Sequence, residues 1–113
     1  MAKIELSGEQ AEEVLRITEV VKANGKLKKG LNEVTKAIER GVAKIVVVAS
    51  DANPAELIMH IPILCDEKEI KCVSAGSKEE LGAASGLSVG TIAVAIVDEA
   101  NAKEDLAKLI ETL

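Results

Sequence analysis

Asn32, Lys36 and Arg40 recur at intervals of four. On a helix that spacing stacks them along one face. Leu31, Val34 and Ile38 fall on another face and can pack inward. Lys26, Lys28 and Lys29 stand just before them, and Gly30 opens the helix. Free backbone N–H groups from Gly30 to Glu33 would add the positive end of the helix dipole. Such a surface suits phosphate. It equally suits a solvated helix carrying ion pairs such as Glu33 to Lys36. Spacing alone leaves both open.

The charge distribution bears on that choice. The net charge is -5, which argues against a polyanionic partner. Yet Lys22 to Lys44 holds seven cations and only Glu33 and Glu39 as acids, a local +5, so the remainder carries -10. A basic patch on an acidic body can hold nucleic acid locally and repel it elsewhere. Aromatics are 0%, so base stacking on aromatic rings is excluded and the core must come from Val, Ile, Leu and Ala.

Catalytic chemistry finds little material. His60 is the only histidine, and a lone His ahead of Pro62 reads as a packing or capping residue. No base pairs with either cysteine, and no Ser/His/Asp set extends beyond His60. Cys65 and Cys72 lie seven apart without a second Cys/His pair, so they read as reduced, partly buried thiols and not as a metal site. No G-x-G-x-x-G or Walker A pattern indicates a nucleotide cofactor. The acid pairs Glu12-Glu13 and Glu79-Glu80 sit at helix starts, favoured by the dipole. No apolar run resembles a signal peptide or approaches the ~18 residues of a membrane span. A non-enzymatic cytoplasmic protein is expected, with no cofactor and no metal.

The elements that must position the basic face follow from pattern. The 113 residues fit one domain, 1–113. Ser7 with Gln10 reads as a capping box for a helix carrying Ala11, Val14, Leu15, Thr18 and Val21, closed by Asn24-Gly25. Lys26 to Lys29 is a short extended piece, and Asn32 to Arg40 is a helix ended by Gly41. Lys44 to Ala49, Lys71 to Ala75 and Ile92 to Val97 are apolar runs of strand length. Asp51 to Pro54 is a turn, with Asn53 capping a helix that Pro62 breaks or kinks before a further helical stretch to about Glu69. Ser77 with Glu80 caps a short helix ending at Gly86, Leu87 to Thr91 is a loop, and Asn101 with Glu104 caps the last helix. Alternating strands and helices, with strands apolar throughout, predict an α/β fold. The expected architecture is a three-layer α/β/α sandwich around a four-stranded, mostly parallel or mixed sheet.

The run Lys28-Lys29-Gly30-Leu31-Asn32-Glu33-Val34-Thr35-Lys36, followed by Glu39-Arg40-Gly41, resembles the signature of the kink-turn-binding ribosomal protein family. That family, often called the L-seven-Ae family, includes archaeal large-subunit ribosomal proteins and eukaryotic small-nucleolar-RNP core proteins. Further similarity lies in Asn53-Pro54-Ala55-Glu56, in His60-Ile61-Pro62-Ile63-Leu64-Cys65, and in Ser77-Lys78, Leu81-Gly82 and Ala84-Ser85-Gly86-Leu87. It spans nearly the whole chain.

The resemblance implies binding to a kink-turn, a sharp bend at a bulge beside tandem sheared G·A pairs. It implies that Asn32, Glu33 and Lys36 touch those guanines. Glu33 suits this because a carboxylate only accepts hydrogen bonds and guanine N–H groups donate them. Lys28, Lys29 and Arg40 would hold phosphates, Gly30 would belong to the same RNA surface, Lys78 would add a phosphate contact, and Leu87, Ser88 and Val89 would cover the extruded nucleotide. The implied partners are ribosomal RNA, guide RNAs of box C/D and box H/ACA modification particles, and the proteins of those particles, with the free protein a monomer. The chain departs from the family pattern at Leu31, where a small residue is usual, at Gly90, where many members carry Pro, and at Cys72 and Ala75-Gly76. The rival readings are a protein-interaction scaffold with a drifted RNA surface, and a small-ligand binder or enzyme on the same architecture.

Overall fold

The computed structural model describes residues 4–6, 8–51 and 59–113. The elements in chain order are β1 (Ile4–Glu5), α1 (Gly8–Asn24), β2 (Lys26–Lys29), α2 (Leu31–Glu39), β3 (Ile45–Val48), α3 (His60–Glu67), β4 (Lys71–Ser74), α4 (Lys78–Ala84), β5 (Ala93–Asp98), a 3-10 turn (Ala100–Ala102) and α5 (Lys103–Glu111). The expected caps at Ser7 and Asn53, and the similarity at Asn53 to Glu56, lie outside the described residues.

The strands form one sheet in the order β1-β4-β3-β5-β2. β1 and β3 pair with β4 in parallel, while β5 runs antiparallel to both β3 and β2. The sheet is therefore mixed, with five strands where the sequence predicted four. β1 is only two residues long, too short for a period-two pattern to register. "Mostly parallel" also yields to an even division of pairings. A continuous apolar run records burial on both faces, and that is what β3 has, with Ile45, Val46, Val47 and Val48 all buried. It does not record strand direction.

Alternation along the strands sorts the core into two layers. Ile45, Val47, Val73, Val94 and Ile96 pack with Val14, Ile17 and Val21 of α1, Leu81 of α4, and Leu106 and Leu109 of α5. Val46, Val48, Cys72, Ala93 and Ala95 face the other way, onto Val34, Ala37 and Ile38 of α2 and Ile61 and Cys65 of α3. The α/β/α sandwich is thus built without an aromatic ring. Small Ala residues on β5 let α2 approach that face, and branched residues fill the remainder.

Two local readings change. Gly25 is not a left-handed cap, because its φ is not positive. It is required by proximity, since a Cβ there would stand 2.0 Å from the Asp98 carbonyl oxygen. Pro62 sits in the first turn of α3, where a missing N–H costs nothing, and the helix expected ahead of it lies outside the described residues. Asn101 does not cap α5, because a 3-10 turn intervenes and the cap position falls to Ala102 without a side-chain bond. Instead the Asp98 carboxylate accepts the Ala100 N–H at 3.0 Å.

Candidate nucleic-acid interface

The basic face starts from an edge strand. In β2 the side chains alternate, so Lys26 and Lys28 are exposed while Leu27 packs against the α1 layer. Lysines on a sheet edge also discourage edge-to-edge pairing, an ordinary structural use for them. Lys29 pairs with Val94 at the start of β5, and the next residue turns the chain into α2.

That turn depends on Gly30. Its φ of 89° and ψ of 158° lie in a region essentially reserved for glycine. Its N–H donates to the Ala93 carbonyl at 2.9 Å, so it belongs to the sheet and is not free, contrary to the expectation for Gly30. The Gly30 carbonyl accepts the Val34 N–H at 3.0 Å. The first-turn amides of Leu31, Asn32 and Glu33 precede the first intrahelical acceptor, and no side chain caps this end of α2. They are the donors the helix offers outward.

α2 divides as its spacing predicts. Val34, Ala37 and Ile38 are buried, whereas Asn32, Glu33, Lys36, Glu39 and Arg40 are exposed. Leu31 is half-buried and packs against the α2–α3 layer. Lys36 Nζ lies 3.9 Å from Glu33 Oε2, with both side chains about half exposed. An exposed pair of this kind contributes roughly 0–1 kcal/mol and opens easily for a better partner. Arg40 stands eight residues past Asn32, about 12 Å along the axis at ~1.5 Å per residue, at the opposite end of the helix.

His60 joins this face from α3. Its Nε2 is 3.1 Å from Thr35 Oγ1, which donates to the Leu31 carbonyl at 2.8 Å. His60 is exposed and is not the cap of α3, since Met59 holds that position. Leu31, Asn32, Thr35, Lys36, Glu39 and His60 line a shallow depression of about 350 Å³. Sequence reasoning left His60 outside the face, because a contact across 25 residues leaves no local pattern.

Strand register brings the remaining candidates to the same end of the sheet. Lys29 pairs with Val94, Val48 with Ala93, and Val48 with Ser74. The starts of α2 and α4, the segment after β3 and the loop before β5 therefore share one end. The joins are specific. Asp51 Oδ1 accepts the Lys78 N–H at 2.8 Å, and Ser50 bonds the Gly76 carbonyl through both its N–H and its hydroxyl. Ser77 and Glu80 form the expected capping box.

The loop from Leu87 to Thr91 is strapped onto α4. The Leu87 N–H donates to the Gly82 carbonyl at 2.9 Å and the Thr91 N–H to the Lys78 carbonyl at 3.0 Å. Gly82 makes the approach possible, since a Cβ there would lie 2.3 Å from the Val89 carbonyl oxygen. The loop projects Val89, 70% exposed, beside an exposed Ser88, while Leu87 is half-buried. A single exposed apolar side chain is ordinary on a protein surface, so Val89 draws its interest from its place beside the basic face. Gly82 is a positioning residue whose reason only the close approach supplies.

Of the sequence candidates, Lys28, Lys29, Gly30, Asn32, Glu33 and Lys36 are continuous on β2 and α2. Lys78, Leu87, Ser88 and Val89 join them at the same sheet end. Arg40 extends the face toward the far end of α2. Among the described residues no cluster of His, Cys, Asp and Glu could hold a metal ion, and no helix is long and apolar enough to cross a membrane.

A mixed five-stranded sheet between two helical layers, with a basic strand-to-glycine-to-helix turn at one end, defines an α/β binding domain. Residues 12–106 match the ribosomal protein L7Ae/L30e/S12e/Gadd45 family, and the chain belongs to that family. The large ribosomal subunit protein eL8 of Methanobrevibacter smithii is 49% identical over 104 residues, covering 92% of this chain and 82% of that protein. Among solved structures, the Giardia lamblia 15.5kD RNA binding protein superposes with a TM-score of 0.90 at 32% identity, covering 95% of this chain and 89% of its own. The family is one of ribosomal proteins and not of enzymes.

Proposed function

We propose that this protein binds kink-turn RNA and holds it in its bent form, in the ribosome and in guide-RNA particles. The observation that carries the reading is the meeting, at one end of the sheet, of three kinds of group: uncapped helix donors with cations, the exposed polar pair Asn32 and Glu33, and an exposed apolar loop. Plain phosphate binding needs only the first. A motif with an extruded nucleotide needs all three.

In this reading Asn32 and Glu33 meet guanine edges at the sheared G·A pairs, and Lys36 leaves its ion pair with Glu33 to join them. Lys28, Lys29 and Arg40 hold phosphates, which sets register without reading sequence. Gly30 supports the turn that aims them, and Lys78 approaches from α4. Leu87, Ser88 and Val89 cover the extruded nucleotide with aliphatic surface, as an aromatic-free protein must. Binding favours the kinked conformer because only that state meets every group at once. The relatives named as a ribosomal protein and as an RNA binding protein support the reading. Residues 1–113 act as one domain.

The test is a titration of a kink-turn RNA against the same RNA lacking its sheared G·A pairs, at two salt concentrations. Tight binding to the first and loss on the second is expected. Equal, steeply salt-dependent binding to both would reduce the site to non-specific phosphate contact.

A further inference from the structure

Far from the basic face, α3 and β4 bring both cysteines together. Cys65, 1% exposed on α3, and Cys72, 6% exposed on β4, belong to the same core layer, and both are in the thiol form. The Cys72 thiol hydrogen-bonds the Cys65 sulfur. This holds the Cys65 thiol below the usual cysteine range, although burial works against it. The backbone between them is fixed. The Ile70 N–H donates to the Cys65 carbonyl at 2.8 Å and the Glu69 N–H to the Asp66 carbonyl at 3.2 Å, closing α3 with Glu69 in a left-handed turn. A cavity of about 330 Å³ is lined by Pro62, Asp66, Ile70 and both cysteines among others.

We propose that Cys65 and Cys72 form a peroxide-sensitive modification site that closes to an intramolecular disulfide, with Cys65 the sulfur oxidised first. Both side chains lie in one core layer and line the same cavity, the juxtaposition a disulfide requires. The oxidant must be small, because both cysteines are buried, and hydrogen peroxide is little larger than water. The Cys65 thiolate attacks one peroxide oxygen, the O–O bond breaks, and hydroxide leaves and takes a proton to become water. The resulting sulfenic acid is attacked by the Cys72 sulfur, which loses its proton, and the sulfenic oxygen departs as a second water. Two thiols and one peroxide give one disulfide and two waters. The bond would tie α3, whose first residue His60 contacts α2, covalently to the sheet.

The full chain is treated with graded hydrogen peroxide, quenched, denatured, alkylated and read by mass spectrometry. Trypsin cuts after Lys68 and Lys71, so the disulfide joins two otherwise separate peptides. Concerted loss of both alkylation sites, with loss of two hydrogens in a monomeric chain, is expected. Two thiols that stay alkylatable, oxidise independently to sulfinic acid, or bridge only between molecules would overturn the proposal. In Cys72→Ser, with folding checked by circular dichroism, a dimedone probe should trap sulfenic acid on Cys65. An unreactive Cys65 in that folded variant would overturn its assignment as the first sulfur.

Discussion

Gly82→Ala tests whether the apolar loop is held where an extruded nucleotide would need it. A methyl at Gly82 lands 2.3 Å from the Val89 carbonyl oxygen, against 3.4 Å for ordinary contact, so the loop must retreat by about 1 Å. The obstacle is backbone, since the Gly90 Cα at 3.0 Å and the Val89 carbonyl carbon at 3.2 Å crowd the same methyl. Overpacking of this kind costs about 1–3 kcal/mol. Alanine in place of glycine inside α4 returns about 1 kcal/mol of helix propensity. The net loss of stability should therefore be about 0–2 kcal/mol, measured by urea denaturation. Affinity should respond more clearly. Full burial of an aliphatic side chain is worth about 1.5–3 kcal/mol, and a 1 Å withdrawal sacrifices part of it, so kink-turn RNA should bind about fivefold more weakly. The assay is an RNA titration at one salt concentration, alongside the unfolding curve. Unchanged RNA affinity together with raised stability would refute the reasoning, because it would mean that the loop does not depend on the glycine beneath it.

Other substitutions separate the remaining roles. Glu33→Ala should weaken kink-turn binding by about 1–3 kcal/mol, the scale of a lost base-edge contact, while plain duplex binding changes little; equal losses on the two RNAs would remove it from base reading. Lys28→Ala should weaken binding to every RNA and flatten the salt dependence by about one unit in the log–log slope, with folding unaffected because the side chain is exposed on an edge strand. Glu69 holds φ at 59° beyond the end of α3, so Glu69→Gly should raise stability by about 1 kcal/mol, read as a higher urea midpoint; a fall would mean that the side chain outweighs the strain.

Local pattern in the sequence identifies most elements and the α2 half of the candidate site. Helical spacing in α2 separated Val34 and Ile38 from Asn32 and Lys36, and the structure buries the first pair and exposes the second. The Ser77–Glu80 capping box and the apolar strands were equally legible, because caps and periodicities are written within a few residues of chain. Tertiary structure decided the rest. The two-residue β1, the antiparallel placement of β5, the spending of the Gly30 N–H on Ala93 and the contact of His60 with Thr35 all join segments far apart in sequence. So does the approach of Gly82 to Val89, which makes one residue type obligatory for a reason no local pattern records. An apolar run states only that a strand is covered on both sides. Which strands become its neighbours, and in which direction, is settled by packing the whole chain, and that packing gathers α2, α4 and the Leu87–Thr91 loop at one end of the sheet.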